Sequence, residues 1–335
     1  MLSATPMKCL IALLLLLSTT TAAVAALPAP PLEVTAVTAG GLVGDLYMPA
    51  AREGRLPGVI VLGGSEGGLS PAVSREAELI AARGYVALQL AYFGAPDLPE
   101  MLQLVPVEYF EAAVAWLQKR PSVDPNHIGI LGTSIGGEAA LLVAAHDPAI
   151  SAVVAAVPSD VVWQGISDGI DRQSISSFTM HGRPLPDLPF GWGGAMHDVY
   201  QSYAGGLRAL PRHPDALIPV ERIHGPVLLI CGKRDRVWPS CPMAAAVMAR
   251  LRARNFAYPV QFLAFPRAGH AVFGAPVDPA SDDYADLGSL GGSAAANAAA
   301  RRSAWPAFLA FLDRALRPGN IATPVSLSRP LAPQD

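Results

Sequence analysis

The stretch Ile128-Gly129-Ile130-Leu131-Gly132-Thr133-Ser134-Ile135-Gly136-Gly137-Glu138-Ala139-Ala140 sets a G-x-S-x-G pentapeptide between an apolar run and an Ala/Leu-rich helical pattern. A serine at such a bend is presented on a sharp strand-to-helix turn, with the helix N-terminus favouring negative charge beside it. Gly132 and Gly136 are required because a side chain on either flank would collide with the turn. A serine hydroxyl is a weak nucleophile and needs a base that takes its proton and returns it to a leaving group. Of seven histidines, His270 is best placed, in the short turn Pro266-Arg267-Ala268-Gly269-His270 after the apolar run Val260–Phe265. His127 precedes the serine's strand and sits at the wrong edge, while His181 and His197 fall in a long insertion. A carboxylate must orient the imidazole. Asp235 fits, in Cys231-Gly232-Lys233-Arg234-Asp235 after the run Val227–Ile230, with Asp160 as the competing acid.

Acyl transfer also needs donors aimed at the developing oxyanion, each typically contributing about 10²–10³ in rate. The amide of Ile135 is one. The second is expected from the loop Gly63-Gly64-Ser65-Glu66-Gly67-Gly68, with Ser65 first and Glu66 next. This loop lacks the lysine of a P-loop and the register of a dinucleotide site, so phosphate cradling is set aside. No His/Cys/Asp cluster has metal-ligand spacing, and no cofactor is called for.

These residues must be carried by alternating elements. Val59–Leu62, Val86–Leu90, Ile128–Leu131, Ala152–Val157, Val227–Ile230 and Val260–Phe265 read as strands buried on both faces. Helical patterns fall between them at Ala72–Arg83, Val107–Gln118, Ile135–His146, Cys241–Arg254 and Asn297–Leu316. Gly41–Met48 reads as an antiparallel edge. The expected class is α/β, a mostly parallel, doubly wound sheet, and the chain order Ser, Asp, His is the one that α/β-hydrolases use. The segment 158–225 breaks the alternation and reads as a lid-like insertion. Its Trp163, Phe190 and Trp192 either line an apolar substrate pocket or fix the insertion to the sheet. Gly288–Ala300, rich in Gly, Ala and Ser, reads as a surface loop without chemistry.

Composition narrows the partners. The 335 residues are 51% hydrophobic and 15% charged, with 24 basic against 27 acidic side chains and a net charge of −3. No basic cluster suggests nucleic-acid binding. The aliphatic run Cys9–Leu17 is too short to span a bilayer. With Lys8 before it and Ala23-Val24-Ala25 after it, it reads as a secretory signal peptide over 1–25. A segment 26–54 with an edge strand, a hydrolase domain over 55–317 and a tail over 318–335 are expected to follow. The exported protein, periplasmic or extracellular, keeps no stable membrane span. Its remaining Cys231 and Cys241 either pair or stay as buried thiols.

A family resemblance joins these readings. Gly63-Gly64-Ser65-Glu66-Gly67-Gly68-Leu69, Ala91-Tyr92-Phe93-Gly94, Glu108-Tyr109-Phe110-Glu111-Ala112-Ala113, Gly132-Thr133-Ser134-Ile135-Gly136-Gly137-Glu138 and Asp235-Arg236-Val237-Trp238-Pro239-Ser240 follow in order. The chain resembles the C-terminal α/β-hydrolase domain of type-I acyl-CoA thioesterases and bile acid-CoA:amino acid N-acyltransferase, over about residues 55–316. The resemblance implies a triad of Ser134, Asp235 and His270. The amidating transferase uses cysteine where this chain has Ser134, so hydrolysis is expected over aminolysis. A small acyl ester or thioester is the implied substrate. An acyltransferase to an amine or alcohol, or a secreted hydrolase relative that binds a hydrophobic ligand without turnover, are the alternatives.

Overall fold

The computed structural model describes residues 30–166, 175–191 and 198–317. The expected signal peptide at 1–25, Trp192 and the tail at 318–335 lie outside the described residues. The strands in chain order are β1 (Leu32–Val37), β2 (Val43–Pro49), β3 (Leu56–Leu62), β4 (Val86–Ala91), β5 (Val105–Pro106), β6 (Val123–Thr133), β7 (Ile150–Ala156), β8 (Phe178–Met180), β9 (Arg183–Pro184), β10 (Val227–Gly232) and β11 (Val260–Phe265). The α-helices are α1 (Pro71–Ala82), α2 (Val107–Gln118), α3 (Ile135–His146), α4 (Val199–Ala209), α5 (Ser240–Ala253) and α6 (Ala294–Leu316).

Eight strands form one sheet in the order β1-β2-β4-β3-β6-β7-β10-β11. From β4 to β11 all pairings are parallel, and β2 joins β4 antiparallel. Successive side chains on a strand point to opposite faces. Ile60 and Leu62 accordingly join the core under α2, α3 and α5, while Val59 and Val61 join the core under α1 and α6. Both faces of β3 are therefore apolar, which is why its run is continuous rather than alternating. Helix α3 is buried from Ile135 through Ala145, as an element apolar on all sides must be.

Chain order reverses at β3. From it the chain crosses through α1 to β4 on one side, then through α2 to β6 on the other. In open α/β sheets the crevice at the carboxyl ends of strands flanking such a reversal is where ligands bind. The loop after β3 and the turn after β6 meet there, and they carry the Gly63–Gly68 segment and Ser134.

Two expectations change. Gly41–Met48 gives rise to β2, yet β2 is not the edge: β1 pairs outside it, Leu32 opposite Pro49, so the sheet begins well before residue 55. Four of the six β1 residues are exposed, leaving little apolar pattern to read. The insertion also has structure of its own. β8 pairs with β5 and β9 to form a three-stranded sheet, and α4 follows.

Candidate active site

The turn after β6 is strained at one residue. Ser134 has φ 62° and ψ −124°, a backbone that L side chains rarely adopt, and its amide donates to the Ala156 carbonyl at 2.9 Å. The surrounding glycines explain how this bend closes. A Cβ on Gly132 would lie 1.8 Å from the Gly136 oxygen, and one on Gly136 would lie 2.3 Å from the Gly63 oxygen. Both positions admit no side chain.

Ser134, His270 and Asp235 form one hydrogen-bonded line. His270 Nδ1 lies 2.8 Å from Asp235 Oδ2, and Nε2 lies 2.9 Å from Ser134 Oγ. A carboxylate only accepts, so Nδ1–H donates to Asp235 and leaves Nε2 to accept the serine hydroxyl. All three are about nine-tenths buried. Asp235 has its oxygens filled. Oδ1 accepts from the amides of Val237 at 2.8 Å and Trp238 at 3.3 Å, while Oδ2 also accepts from Ser240 Oγ at 2.6 Å. Asp160, the rival acid, is buried elsewhere with Oδ1 unpartnered; burial raises it to about 6.

The loops that hold this line are tied from behind. Cys231, next to the end of strand β10, and Cys241, in the first turn of α5, form a disulfide that closes the segment carrying Asp235 and Ser240. The sequence left this pairing open. The Trp238 indole donates to the Val157 carbonyl at 3.0 Å and stands edge-on to His270, with ring centroids 6.1 Å apart. Asn297 is fully buried. Its Oδ1 accepts from the Gly269 amide at 2.7 Å, and its Nδ2 donates to the carbonyls of Leu287 at 2.6 Å and Gly291 at 2.9 Å. Leu290 offers its carbonyl to the amides of both His270 and Arg236. The Gly288–Ala300 stretch, read from the sequence as a surface loop without chemistry, is thus a brace joining the loops that carry Asp235 and His270.

The oxyanion candidates are the amides of Ile135 and of the loop after β3. Ile135 opens α3, so its amide has no intrahelical partner. A Cβ on Gly64 would sit 3.2 Å from Ser134 Cβ, showing how closely the β3 loop approaches. The Gly64 amide is taken by Glu66 Oε1 at 3.0 Å. Ser65 is exposed in the same turn, and its amide has no hydrogen-bond partner among the described residues.

The insertion aromatics separate. Trp163 has no exposed surface to offer a ligand: its amide donates to Glu138 Oε1 at 3.0 Å and its indole to Ser159 Oγ at 2.9 Å. It fixes the insertion to α3. Phe190 is half-buried against Trp163 and Tyr203, at 6.0 and 5.0 Å between centroids. Tyr203 in turn packs on Trp238 at 5.2 Å, which extends an aromatic row to His270. Glu138 was unremarked in the sequence beyond its place in the motif. It is fully buried, its Oε2 has no partner, and burial raises it to about 8. Its signal was a lone charge in a helix otherwise apolar. Among the described residues no cluster of three or more His, Cys, Asp or Glu is arranged to hold a metal, and no helix is long and apolar enough to cross a membrane.

Comparison with known proteins agrees with this architecture. Residues 105–318 match the family model described as BAAT / Acyl-CoA thioester hydrolase C terminal. Acyl-coenzyme A thioesterase 6 of Mus musculus is 31% identical over 86% of this chain and 66% of its own length. Bile acid-CoA:amino acid N-acyltransferase of Mus musculus is 30% identical over 87% and 67%. The chain spans about two thirds of the length of these curated relatives. An alpha/beta hydrolase enzyme from a Medee basin deep-sea metagenome library has the same fold, with TM-score 0.54 and 14% identity over 85% of this chain and 98% of that one. A puromycin-hydrolyzing peptidase of Mycobacterium tuberculosis does too, with TM-score 0.54 and 18% identity over 86% of this chain and 39% of its own.

Proposed function

The chain belongs to the BAAT / acyl-CoA thioester hydrolase C-terminal family, and from that premise we propose that it is an exported serine hydrolase of thioesters or carboxylic esters with an apolar acyl part. Ser134 attacks the acyl carbonyl. His270 takes the hydroxyl proton through Nε2 and delivers it to the leaving thiol or alcohol. Asp235 holds the imidazole in the tautomer that leaves Nε2 free and stabilises it once charged. The amides of Ile135 and Ser65 receive the oxyanion, and the N-terminus of α3 adds favourable field. Water, activated by His270, then attacks the acyl-serine, the serine oxygen recovers its proton, and free acid leaves.

The observation that carries this reading is the line Ser134 Oγ, His270, Asp235, with contacts of 2.9 and 2.8 Å, set on a strained turn. A protein that only binds has no use for such strain. Serine rather than cysteine as nucleophile favours water over an amine acceptor. Export draws support from the leader-like composition of 1–25 and from the disulfide Cys231–Cys241, which suits an oxidising compartment.

The test is a hydrolysis panel of acyl-CoA, acyl N-acetylcysteamine and aryl esters run on wild type and Ser134→Ala. Release of free acid is expected from wild type and should fall by more than about 10³-fold in the variant. Equal rates in the two proteins would remove the assignment.

A further inference from the structure

A carboxylate without a counter-charge stands beside the nucleophile. Glu66 lies in the loop after β3, where its Oε1 accepts the Gly64 amide at 3.0 Å. A Cβ placed on Gly64 would be 2.9 Å from Glu66 Oε2 and 3.2 Å from Ser134 Cβ, so a single methyl group would touch both side chains. The loop is held at both ends. Tyr92 Oη donates to the Gly63 carbonyl at 2.8 Å, and the Gly68 amide donates to the Phe93 carbonyl at 2.8 Å. Glu33, Glu78 and Glu221 each pair with an arginine. Glu66 pairs with no cation among the described residues. Its charge is felt nearby: burial is the main cause that raises the Tyr92 phenol, and the Glu66 carboxylate adds to it.

Negative charge also develops at this place during acyl transfer, on the carbonyl oxygen that the amides of Ile135 and Ser65 receive. Ser65 immediately precedes Glu66, so the fixed carboxylate opposes the charge that its own loop accepts. That opposition slows the reaction of a neutral acyl group and slows an anionic one further. An ammonium on the acyl group, within a few bonds of the carbonyl, offsets it. We propose that Glu66 is a specificity-determining residue that sorts acyl groups by charge, disfavouring those with a carboxylate near the carbonyl and favouring an ammonium there over an apolar group of the same length. This rests on the reading of Ser134 as the nucleophile.

Three N-acetylcysteamine thioesters keep the leaving group uncharged and vary the acyl group: 3-aminopropanoyl, butanoyl and succinyl. Unit charges about 6 Å apart at a hydrated site change kcat/KM by about tenfold per charge, so wild type should prefer the three in that order. Glu66→Gln keeps an oxygen for the Gly64 amide and removes the charge. It should bring the three rates within about threefold of one another, raising succinyl and lowering 3-aminopropanoyl. Glu66→Lys should reverse the order. Damage to the loop alone would lower all three by one factor and keep the wild-type order. That result overturns the proposal, as does a wild type that hydrolyses all three alike. Binding of 3-aminopropanamide, butanamide and succinamate to Ser134→Ala, followed by ligand-observed NMR with and without Glu66→Gln, needs no turnover. Affinities that follow the same order and lose it with Glu66→Gln support charge sorting even if no thioester is hydrolysed, which would count against the hydrolase reading alone.

Discussion

Two buried carboxyl groups, Asp235 in the hydrogen-bonded line and Glu138 in the helix that follows Ser134, are treated in opposite ways. Asp235 accepts from two amides, a hydroxyl and an imidazole, and the strand and helix on either side of it are joined by a disulfide. Glu138, in the first turn of α3, accepts one amide hydrogen, from Trp163, and burial moves it up to about 8. The first is surrounded by donors that support its charge beside the His270 imidazole. The second keeps its proton under neutral conditions and serves as a neutral peg between the helix and the insertion. Burial alone does not decide what a carboxyl does; the number of donors aimed at it does.

The widest separation of the two regions should come from Asp235→Asn. An amide there can donate to Nδ1 and fix the wrong tautomer, and a loss of about 10⁴-fold in kcat at neutral pH is expected from steady-state hydrolysis. A loss under tenfold would place the orienting role elsewhere. A smaller effect distinguishes Glu138. Its carboxyl has an ordinary value of 4.5 and is raised by burial to about 8, so its contribution to stability is whole below pH 4.5 and is lost as pH rises toward 8. Glu138→Gln, which mimics the protonated form, should gain in unfolding free energy over wild type, read from denaturant titrations, as pH goes from 5 to 8.5, by on the order of a few kcal/mol at most. Glu76, raised to about 7, and Asp160, raised to about 6, titrate in both proteins and cancel in that difference. Parallel curves would show that Glu138 is already ionised near neutral pH.

The same contrast governs what could be read from the chain. The serine turn is legible because its requirements are local: Gly132 and Gly136 are dictated by backbone a few residues away, and the apolar runs on either side name the strand and the helix. His270 and Asp235 follow from their place after strands. Asn297 is not legible in this way. It stands alone in a run of alanines, and its three bonds reach Gly269, Leu287 and Gly291, which only the folded register brings together. Ser240 gains its meaning from a hydroxyl turned back on Asp235, a contact that the spacing Asp235–Ser240 permits but does not require. Trp163 was ambiguous for the same reason, since an aromatic in a segment without period points to no face until Glu138 is seen to hold its amide. The strand β1 escaped because most of its side chains are exposed.

The proposed mechanism requires that His270 activate the Ser134 hydroxyl, and covalent labelling reads this directly. Native protein treated with a fluorophosphonate, digested and analysed by mass spectrometry should carry one adduct, on the peptide containing Ser134. Ser134→Ala should carry none, and His270→Ala should label far more slowly. A native protein that stays unlabelled, or an adduct that persists in Ser134→Ala, would contradict it.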